Sequence, residues 1–304
     1  MALFDKILEA KIMSTHLLIR ANVSKKILLQ AYKIAKDFED RYSAYKKNSF
    51  LNQINNCAGT SNPLPCTPQD NEIFSKSILA SQQTNGLFDI TIGALSHGAY
   101  HFGFDNQKIA SEEEIKKRKS LINYKNIILK NNTISLKIKN MRLDLGGIGK
   151  GFVSKQIALF LQKQGATRIL VDVGGEIITL GKKFTIAIKN PFKEGNIGYI
   201  ETTKAPLSIS TSGNYERFID QQNHHILHTR QGISSHFYSS MTILQNGWNI
   251  DMLDAYATAL FNQPHQEMNS LATKLKLSTI TINNTKEIML SSLDALKLEK
   301  VTLI

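Results

Sequence analysis

The sequence predicts an α+β protein, a single compact domain with two lobes in which mixed sheets are flanked by helices. Three observations predict this class. Helical periodicity occurs in several separate parts of the chain, alternating patterns typical of strands fill the regions between them, and no linker, repeat or low-complexity segment divides the 304 residues. We therefore predict that residues 1–304 form one domain.

In the N-terminal half, local signals mark where helices and hairpins begin. Ser24 is a candidate N-cap, Ser111 and Glu114 have the spacing of a capping box, and Asn131-Asn132 is a hairpin signal. The predicted elements are a strand around 12–22, a helix with apolar positions from 27 to 38, a helix from about 73 to 84, a helix after residue 111, and strands at 127–130, 134–138 and 142–145.

The C-terminal half contains a long β-rich region between two helical regions. A helical pattern begins at Gly151, and Gly165 is a plausible stop for it. The predicted elements are this helix, strands at 168–173, 184–189, 197–202, 207–211 and 237–244, helices at 251–261 and 267–276, and a final hairpin of 279–282 with 287–290.

Composition and charge exclude several classes of protein. Residues are 42% hydrophobic and 20% charged, as in globular proteins, and no apolar run approaches the roughly 20 residues of a membrane helix. The formal net charge is +12, but the densest basic run, 116–119, follows the acidic run 112–114 on one predicted helix. That pattern is typical of a solvated surface, so we expect no nucleic-acid partner.

The two cysteines, Cys57 and Cys66, lie in a loop-like stretch without further ligands at metal-binding spacing. A zinc site is not expected, whereas a disulfide and two free thiols both fit the pattern. The N-terminal residues carry acidic side chains where an export signal would be apolar. No export signal is therefore visible, and a cytoplasmic location is not excluded.

The segment Asp144-Leu-Gly-Gly-Ile-Gly-Lys-Gly151 passes from a predicted strand into a predicted helix. Its glycines allow backbone amides to approach an anion, and Lys150 adds a positive charge, which together favour phosphate binding. The glycine spacing differs from the Walker and dinucleotide motifs. A simple tight turn is the alternative interpretation.

Two further patterns favour catalytic chemistry. Asp254 and Thr258 are four residues apart, so on a helix their oxygens project from one face and suit a Mg²⁺ ion; the alternative is a threonine bonded back to its own helix. His224 and His225 are adjacent, so only one of them is expected to face a site, where it could act as a base. Tyr45 could stack on a planar ligand or pack in the core.

Eight motifs in this order resemble those of the FAD:protein FMN transferases, the ApbE-type flavin transferases, from about residue 13 to 261. They are Met13-Ser-Thr15, Tyr42-Ser-Ala-Tyr45 with Ser49 and Asn55, Thr84-Asn-Gly-Leu-Phe-Asp89, Asp144 to Gly151, Asp172-Val-Gly-Gly-Glu176, Thr211-Ser-Gly-Asn-Tyr-Glu-Arg217, His225-Ile226, and Asp254 with Thr258. The sequence departs from the family where Gly149 replaces Ala, where Ser14 replaces Gly, where Ser154 replaces a frequent Asp, and where Leu227-His228-Thr229 stands in place of Asp-Pro.

The resemblance implies that FAD is cleaved at its diphosphate, that AMP leaves, and that FMN is joined through its phosphate to a threonine of an acceptor protein. It also implies a role for each site residue. Mg²⁺ is bound by Asp254, Thr258 and the Gly149 carbonyl; Gly146, Gly147 and Lys150 hold phosphates; Tyr45 stacks on the flavin; Asn55 lies near the adenosine; Glu176, Ser212 and Gly213 contribute to the cofactor pocket; and His225 and Asp254 are catalytic.

The resemblance further implies an acceptor with a Ser/Thr-Gly-Ala-Thr type motif, in a respiratory electron-transfer subunit, and a periplasmic or inner-membrane-associated location. Two alternatives to the transferase stay open from the sequence. A Mg²⁺-dependent FAD pyrophosphatase would use the same residues to form FMN and AMP with water. A flavin-binding protein would hold FAD without turnover.

Overall fold

A computed structural model describes residues 4–215, 218–220 and 222–304. The strands are β1 Lys6–Ile12, β2 Thr15–Ala21, β3 Leu64–Pro65, β4 Ile127–Lys130, β5 Thr133–Leu136, β6 Ile169–Val173, β7 Glu176–Leu180, β8 Thr185–Lys189, β9 Asn196–Thr202, β10 Leu207–Gly213, β11 Tyr238–Asn246, β12 Ser278–Asn283, β13 Ile288–Ser291 and β14 Leu298–Leu303. The α-helices are α1 Lys25–Tyr42, α2 Phe50–Asn56, α3 Pro68–Gln83, α4 Gly93–Ser96, α5 Glu112–Lys119, α6 Gly149–Lys163, α7 Ile250–Phe261 and α8 His265–Lys274.

A large antiparallel sheet organises the described part of the chain. Its eight strands run in the order β1-β2-β6-β7-β10-β11-β12-β13. Two smaller sheets have three strands each, in the orders β14-β9-β8 and β3-β5-β4. None of the helices in the described ranges is both long enough and apolar enough to cross a membrane.

Side-chain alternation along the large sheet creates two cores. In β6, Ile169 and Val171 join the cluster that contains the helices, whereas Leu170 joins a second cluster with β8, β9 and β14. In β10, Leu207 and Ile209 belong to this second cluster. Because neighbours on a strand point to opposite faces, the residues between them face the helices. The helical face is the one that carries the candidate site.

The local sequence signals are confirmed by the capping geometry. The Ser24 hydroxyl accepts from the Ile27 amide at 3.3 Å, and Ser111 and Glu114 form the reciprocal capping box. The β1–β2 hairpin turns at Met13 and Ser14, whose φ values are 49° and 61°. A positive φ is the conformation that glycine adopts most readily, which fits the Gly that the family resemblance implies at position 14.

The α+β class is confirmed, but several details of the prediction are wrong. The sheets are not mixed, because every pairing between the named strands is antiparallel, as the short turn between β6 and β7 requires. The strand predicted at 142–145 is reduced to an isolated bridge between Arg142 and Ile92. Strands β7 and β14 and helix α2 were not predicted; the start of β7 was interpreted only as a motif. A single domain over 1–304 stays a prediction.

Candidate active site

Two buried carboxylates and one lysine meet where α6 begins, beside α7 and the start of β7. The ammonium of Lys150 lies 2.8 Å from Oε1 of Glu176 and 4.0 Å from Oδ1 of Asp254. Glu176 and Asp254 are 0% and 2% exposed. Burial, the largest cause, raises the pKa of both carboxyl groups, and the charge of Asp254 raises that of Glu176 further against the opposing charge of Lys150. Two buried acidic groups share this one lysine, and the repulsion between them would be relieved by an added cation.

Asp254 also caps helix α6 from outside that helix. The residue before α6 is Ile148, which has no side-chain acceptor, and Oδ2 of Asp254 accepts instead from the Gly151 amide at 3.0 Å. This contact ties the first turn of α6 to α7. A change at Asp254 therefore affects the position of Lys150 as well as the charge of the site.

The glycine-rich turn uses several of its amides internally. The Gly146 amide donates to Oδ1 of Asp144 at 2.8 Å, and the Gly149 amide donates to the Leu145 carbonyl at 2.7 Å. Gly147 lies against α7, since a Cβ placed on it would be 2.9 Å from the Thr258 hydroxyl. The turn thus lies directly beside the Asp254–Thr258 pair. Phosphate binding by Gly146, Gly147 and Lys150 stays a prediction, and for Gly146 the amide is already engaged.

Helix α6 approaches α7 most closely at Gly151. A Cβ on Gly151 would overlap the Ile250 carbonyl oxygen and lie 2.9 Å from the Cβ of Asp254. Two residues earlier, a Cβ on Gly149 would meet the Phe38 ring at 3.3 Å and the Cβ of Leu145 at 3.8 Å, without overlapping backbone. The two glycines are therefore a matched pair of substitution sites in one helix, one in a tight contact with α7 and one with more space.

We expect Gly151→Ala to destabilise the protein by roughly 1–3 kcal/mol, because the helices must separate. Gly149→Ala is expected to be neutral or slightly stabilising, because alanine is the better helix former and Phe38 can adjust. Thermal unfolding of both variants is the measurement. A Gly151→Ala variant as stable as the parent would contradict the close packing of α6 on α7.

The proposed Mg²⁺ ligands have the correct chemistry for that ion. Asp254 supplies a carboxylate, and the Thr258 hydroxyl donates back to the Asp254 carbonyl at 3.2 Å, which leaves its lone pairs available to a cation. No group of three His, Cys, Asp or Glu side chains among the described residues could hold a metal by itself. Substrate oxygens and the Gly149 carbonyl would therefore have to complete the coordination, as is usual for Mg²⁺. The ligand set stays a prediction.

Asn55 has a structural role that the sequence did not reveal. Its side-chain oxygen accepts from the Leu143 amide at 2.7 Å, and its Nδ2 donates to the Leu143 carbonyl at 3.2 Å. Asn55 thereby fixes the segment that leads into the glycine-rich turn. Contact of Asn55 with adenosine stays a prediction. The two hydrogen bonds to Leu143 leave the Asn55 side chain little freedom to turn towards a ligand.

Tyr45 lies at the rim of the helical lobe rather than in the core. It is 39% exposed, its hydroxyl donates to the Phe102 carbonyl at 3.2 Å, and its ring lies 5.5 Å from the His97 ring. The ring also lies 4.8 Å from the Phe104 ring, so a planar ligand would have to stack on its exposed part. The flavin contact at Tyr45 stays a prediction.

The end of β10 places Ser212 and Gly213 on opposite faces of the large sheet. Ser212 shares the helical face with Ser210, which is paired with Glu176 on β7, whereas Gly213 faces the other way. Only Ser212 therefore points towards the Glu176 side. Two other residues of this motif, Glu216 and Arg217, lie outside the described residues.

The two adjacent histidines have different environments. His224 is 1% exposed; its Nε2 lies 2.6 Å from the Ser235 carbonyl, and its Nδ1 accepts from the Ile226 amide. Burial lowers the pKa of His224 to about 4. His225 is only partly buried. With both ring nitrogens of His224 engaged, His225 is the residue suited to act as a base, and this assignment stays a prediction.

The chain is similar to proteins of a known family. A model of the ApbE family matches residues 12–281. The chain belongs to the ApbE family. It is 27% identical over 272 residues to a Klebsiella pneumoniae protein named FAD:protein FMN transferase, and this alignment covers 86% of the chain and 84% of that protein.

Solved structures of ApbE proteins share the fold. The flavin transferase ApbE from Vibrio cholerae superposes with a TM-score of 0.81 at 22% identity, covering 95% of this chain and 97% of that one. The ApbE protein from Thermotoga maritima superposes with a TM-score of 0.85 at 22% identity, covering 98% of this chain and 100% of that one.

The departure from the ApbE family at Leu227-His228-Thr229 has a structural explanation. Nδ1 of His228 accepts from the backbone amides of Arg230 and Gln231 at 3.1 and 3.3 Å. An Asp side chain can accept such bonds in the same way. The Thr229 hydroxyl donates to the Gly86 carbonyl at 2.7 Å and connects this loop to the Thr84–Asp89 motif. Residues 227–229 are thus held in place without the Asp-Pro pair.

The contacts that Asp144 makes with Ser96 and His97 beside the glycine-rich turn were not predicted from the sequence. The carboxylate of Asp144 accepts from the Ser96 hydroxyl at 2.7 Å, and its Oδ2 lies 3.5 Å from Nε2 of His97. Asp144 therefore links the glycine-rich turn to the segment beside Tyr45. An Asp two residues before a glycine is a turn signal that could have identified this role for Asp144. The contacts from Ser96 and His97 depend on long-range packing.

The cysteines Cys57 and Cys66 are free thiols.

Proposed function

We propose that the protein is a Mg²⁺-dependent FAD:protein FMN transferase. The observation that carries the proposal is the meeting of Lys150, Asp254 and Thr258 beside the glycine-rich turn, in a chain of the ApbE family. A cation and a lysine on one side of a buried site suit a diphosphate, the most highly charged part of FAD. The name of the Klebsiella pneumoniae relative supports the same activity.

In the proposed reaction, the P–O bond between the two phosphates of FAD breaks and AMP leaves with the bridging oxygen. The threonine oxygen of the acceptor forms a new bond to the phosphorus of FMN, and His225 takes the hydroxyl proton. A bound Mg²⁺ would supply neutralisation of the diphosphate charge. Lys150 orients the phosphates, and Glu176, 2.8 Å from its ammonium, fixes the lysine in place.

The proposal extends to the acceptor and to the location. We expect an acceptor with the Ser/Thr-Gly-Ala-Thr type motif in a respiratory electron-transfer subunit, and a periplasmic or inner-membrane-associated protein. Both expectations are supported by the family resemblance alone. Transfer to a synthetic peptide with this motif, compared with a peptide in which its final Thr is Ala, tests the acceptor directly.

Product analysis separates the transferase from its alternatives. With FAD and Mg²⁺, a transferase forms AMP and protein-bound FMN only when an acceptor is present. A pyrophosphatase forms AMP and free FMN without one, and a flavin-binding protein forms neither. Quantifying AMP, free FMN and acceptor-bound FMN in parallel reactions decides between the three.

We also expect FAD to bind at least about tenfold more tightly than FMN, because contacts to the diphosphate involve charged groups worth more than ordinary hydrogen bonds. Calorimetric titration with each flavin in the presence of Mg²⁺ is the measurement. Equal affinities would mean that the adenylate half makes no net contribution and would argue against a site built on the diphosphate.

A further inference from the structure

A cavity separate from the Lys150 cluster lies at the end of α2. Its volume is about 430 Å³, and its walls come from α2, the segment after α4, the end of α5 and the residues before the glycine-rich turn. Five basic or titratable side chains contribute to its lining: His97, His101, Arg118, Lys139 and Arg142. Among the described residues that line it, none is acidic.

The two arginines lack ion-pair partners within the described part of the chain. Arg142 makes one long hydrogen bond, from Nη2 to Asn52 at 3.4 Å, and its buried Nε has no hydrogen-bond partner among the described residues. Burial and the charge of Arg118 lower the pKa of Arg142, and Asp144 opposes this only in part. Two guanidinium groups close together without an acid between them are unfavourable until an anion arrives.

The backbone leaves space for this arrangement. A Cβ on Gly98 would lie 2.6 Å from Nη1 of Arg118, so the absence of a side chain there allows the guanidinium to reach the cavity. Lys139 contributes a third permanent positive charge to the same lining. Guanidinium groups bind phosphate oxygens through paired hydrogen bonds, and three cations match a phosphate dianion better than a single carboxylate.

We propose that this cavity binds a phosphate group, either as inorganic phosphate or as the phosphate of a monoester whose organic part occupies the remaining volume. Arg118 and Arg142 hold the phosphate, and Lys139 adds its charge. The proposed phosphate contacts neither Lys150 nor the proposed Mg²⁺ ligands, so the site is separate from the catalytic cluster, although its lining includes Asn55, the residue expected near the adenosine of FAD. Asn55 lines the cavity and holds Leu143, so an occupied cavity would also stabilise the entrance to the glycine-rich turn.

Titration of the whole chain with inorganic phosphate, by calorimetry at low ionic strength without FAD or Mg²⁺, tests the proposal. We expect one binding site, weakened roughly tenfold or more by Arg118→Gln or Arg142→Gln, because each removes charged hydrogen bonds. Lys137→Gln is the matched control, since it removes an exposed positive charge on the same segment that does not line the cavity. Arg118 lies on α5, which has no buried residues, so its variant is expected to fold.

A Lys150→Gln variant and two further ligands complete the test. Lys150→Gln is expected to retain phosphate binding, and a loss there would overturn the proposal by locating the anion at the catalytic cluster. Phenyl phosphate, which is not a product of the proposed reaction, is expected to compete with phosphate and phenol is not; tighter binding of phenyl phosphate would identify a monoester as the ligand, and equal binding would identify free phosphate. No phosphate binding, or unchanged binding in Arg118→Gln, would also overturn the proposal.

Discussion

Asp254→Ala is expected to abolish Mg²⁺-dependent cleavage of FAD and to destabilise the protein at the same time. The first effect follows because the variant loses the only carboxylate among the proposed ligands, which should reduce turnover by roughly a hundredfold or more. The second follows because Oδ2 of Asp254 caps α6 through the Gly151 amide, and losing such a cap costs about 1 kcal/mol. Turnover across a Mg²⁺ titration and thermal unfolding measure the two effects.

Asp254→Asn separates these effects. The asparagine side-chain oxygen can still accept from the Gly151 amide, so α6 stays capped. The neutral side chain also removes the repulsion that raises the pKa of Glu176, so stability is expected to equal or exceed that of the parent. Turnover should still be lost. Full turnover of Asp254→Asn at low Mg²⁺ would show that the metal binds elsewhere.

His225→Ala is expected to reduce transfer of FMN to the acceptor by roughly a hundredfold or more, the usual effect of removing a general base. FAD affinity should change little, and activity should recover in part at high pH, where the acceptor hydroxyl ionises more readily. The pH profile of acceptor-bound flavin at saturating FAD is the measurement. His228→Asn is the control, because asparagine can accept the same two backbone amides and should keep transfer intact.

His224→Ala is expected to reduce the stability of the protein rather than the chemistry of transfer. The ring of His224 is buried and both of its nitrogens are engaged, so its loss should cost on the order of 2–3 kcal/mol of stability. Reduced transfer in this variant should therefore follow the fraction unfolded. A stable His224→Ala variant with no transfer, beside a fully active His225→Ala variant, would reverse the assignment of the base.

Short-range patterns in the sequence predicted the elements and the family well. Ser24, the Ser111–Glu114 capping box and the Asn131-Asn132 turn are set by residues within a few positions of one another, so their geometry is encoded locally. The i, i+4 spacing of Asp254 and Thr258 also lies on one helix. Such features can be inferred without knowledge of the tertiary structure.

The contacts that assemble the site join residues far apart in the chain. Asn55 holds Leu143 across 88 positions, and Asp254 caps α6 across 103. No local pattern indicates that an asparagine side chain will pair with a distant backbone, or that a predicted metal ligand also caps another helix. Strand β7 was missed because its first residues were interpreted as part of a motif, and no local signal indicates that its polar first residue, Glu176, is buried beside α6 and α7.

Mass spectrometry of an acceptor peptide most directly tests the central claim. The peptide would carry the Ser/Thr-Gly-Ala-Thr type motif and be incubated with the protein, FAD and Mg²⁺, with AMP measured in the same reaction. The account predicts a mass increase equal to FMN less one water on the final threonine, one AMP per modified peptide, and neither product when Mg²⁺ is chelated. Release of free FMN and AMP at the same rate with and without peptide, leaving the peptide unmodified, would contradict it.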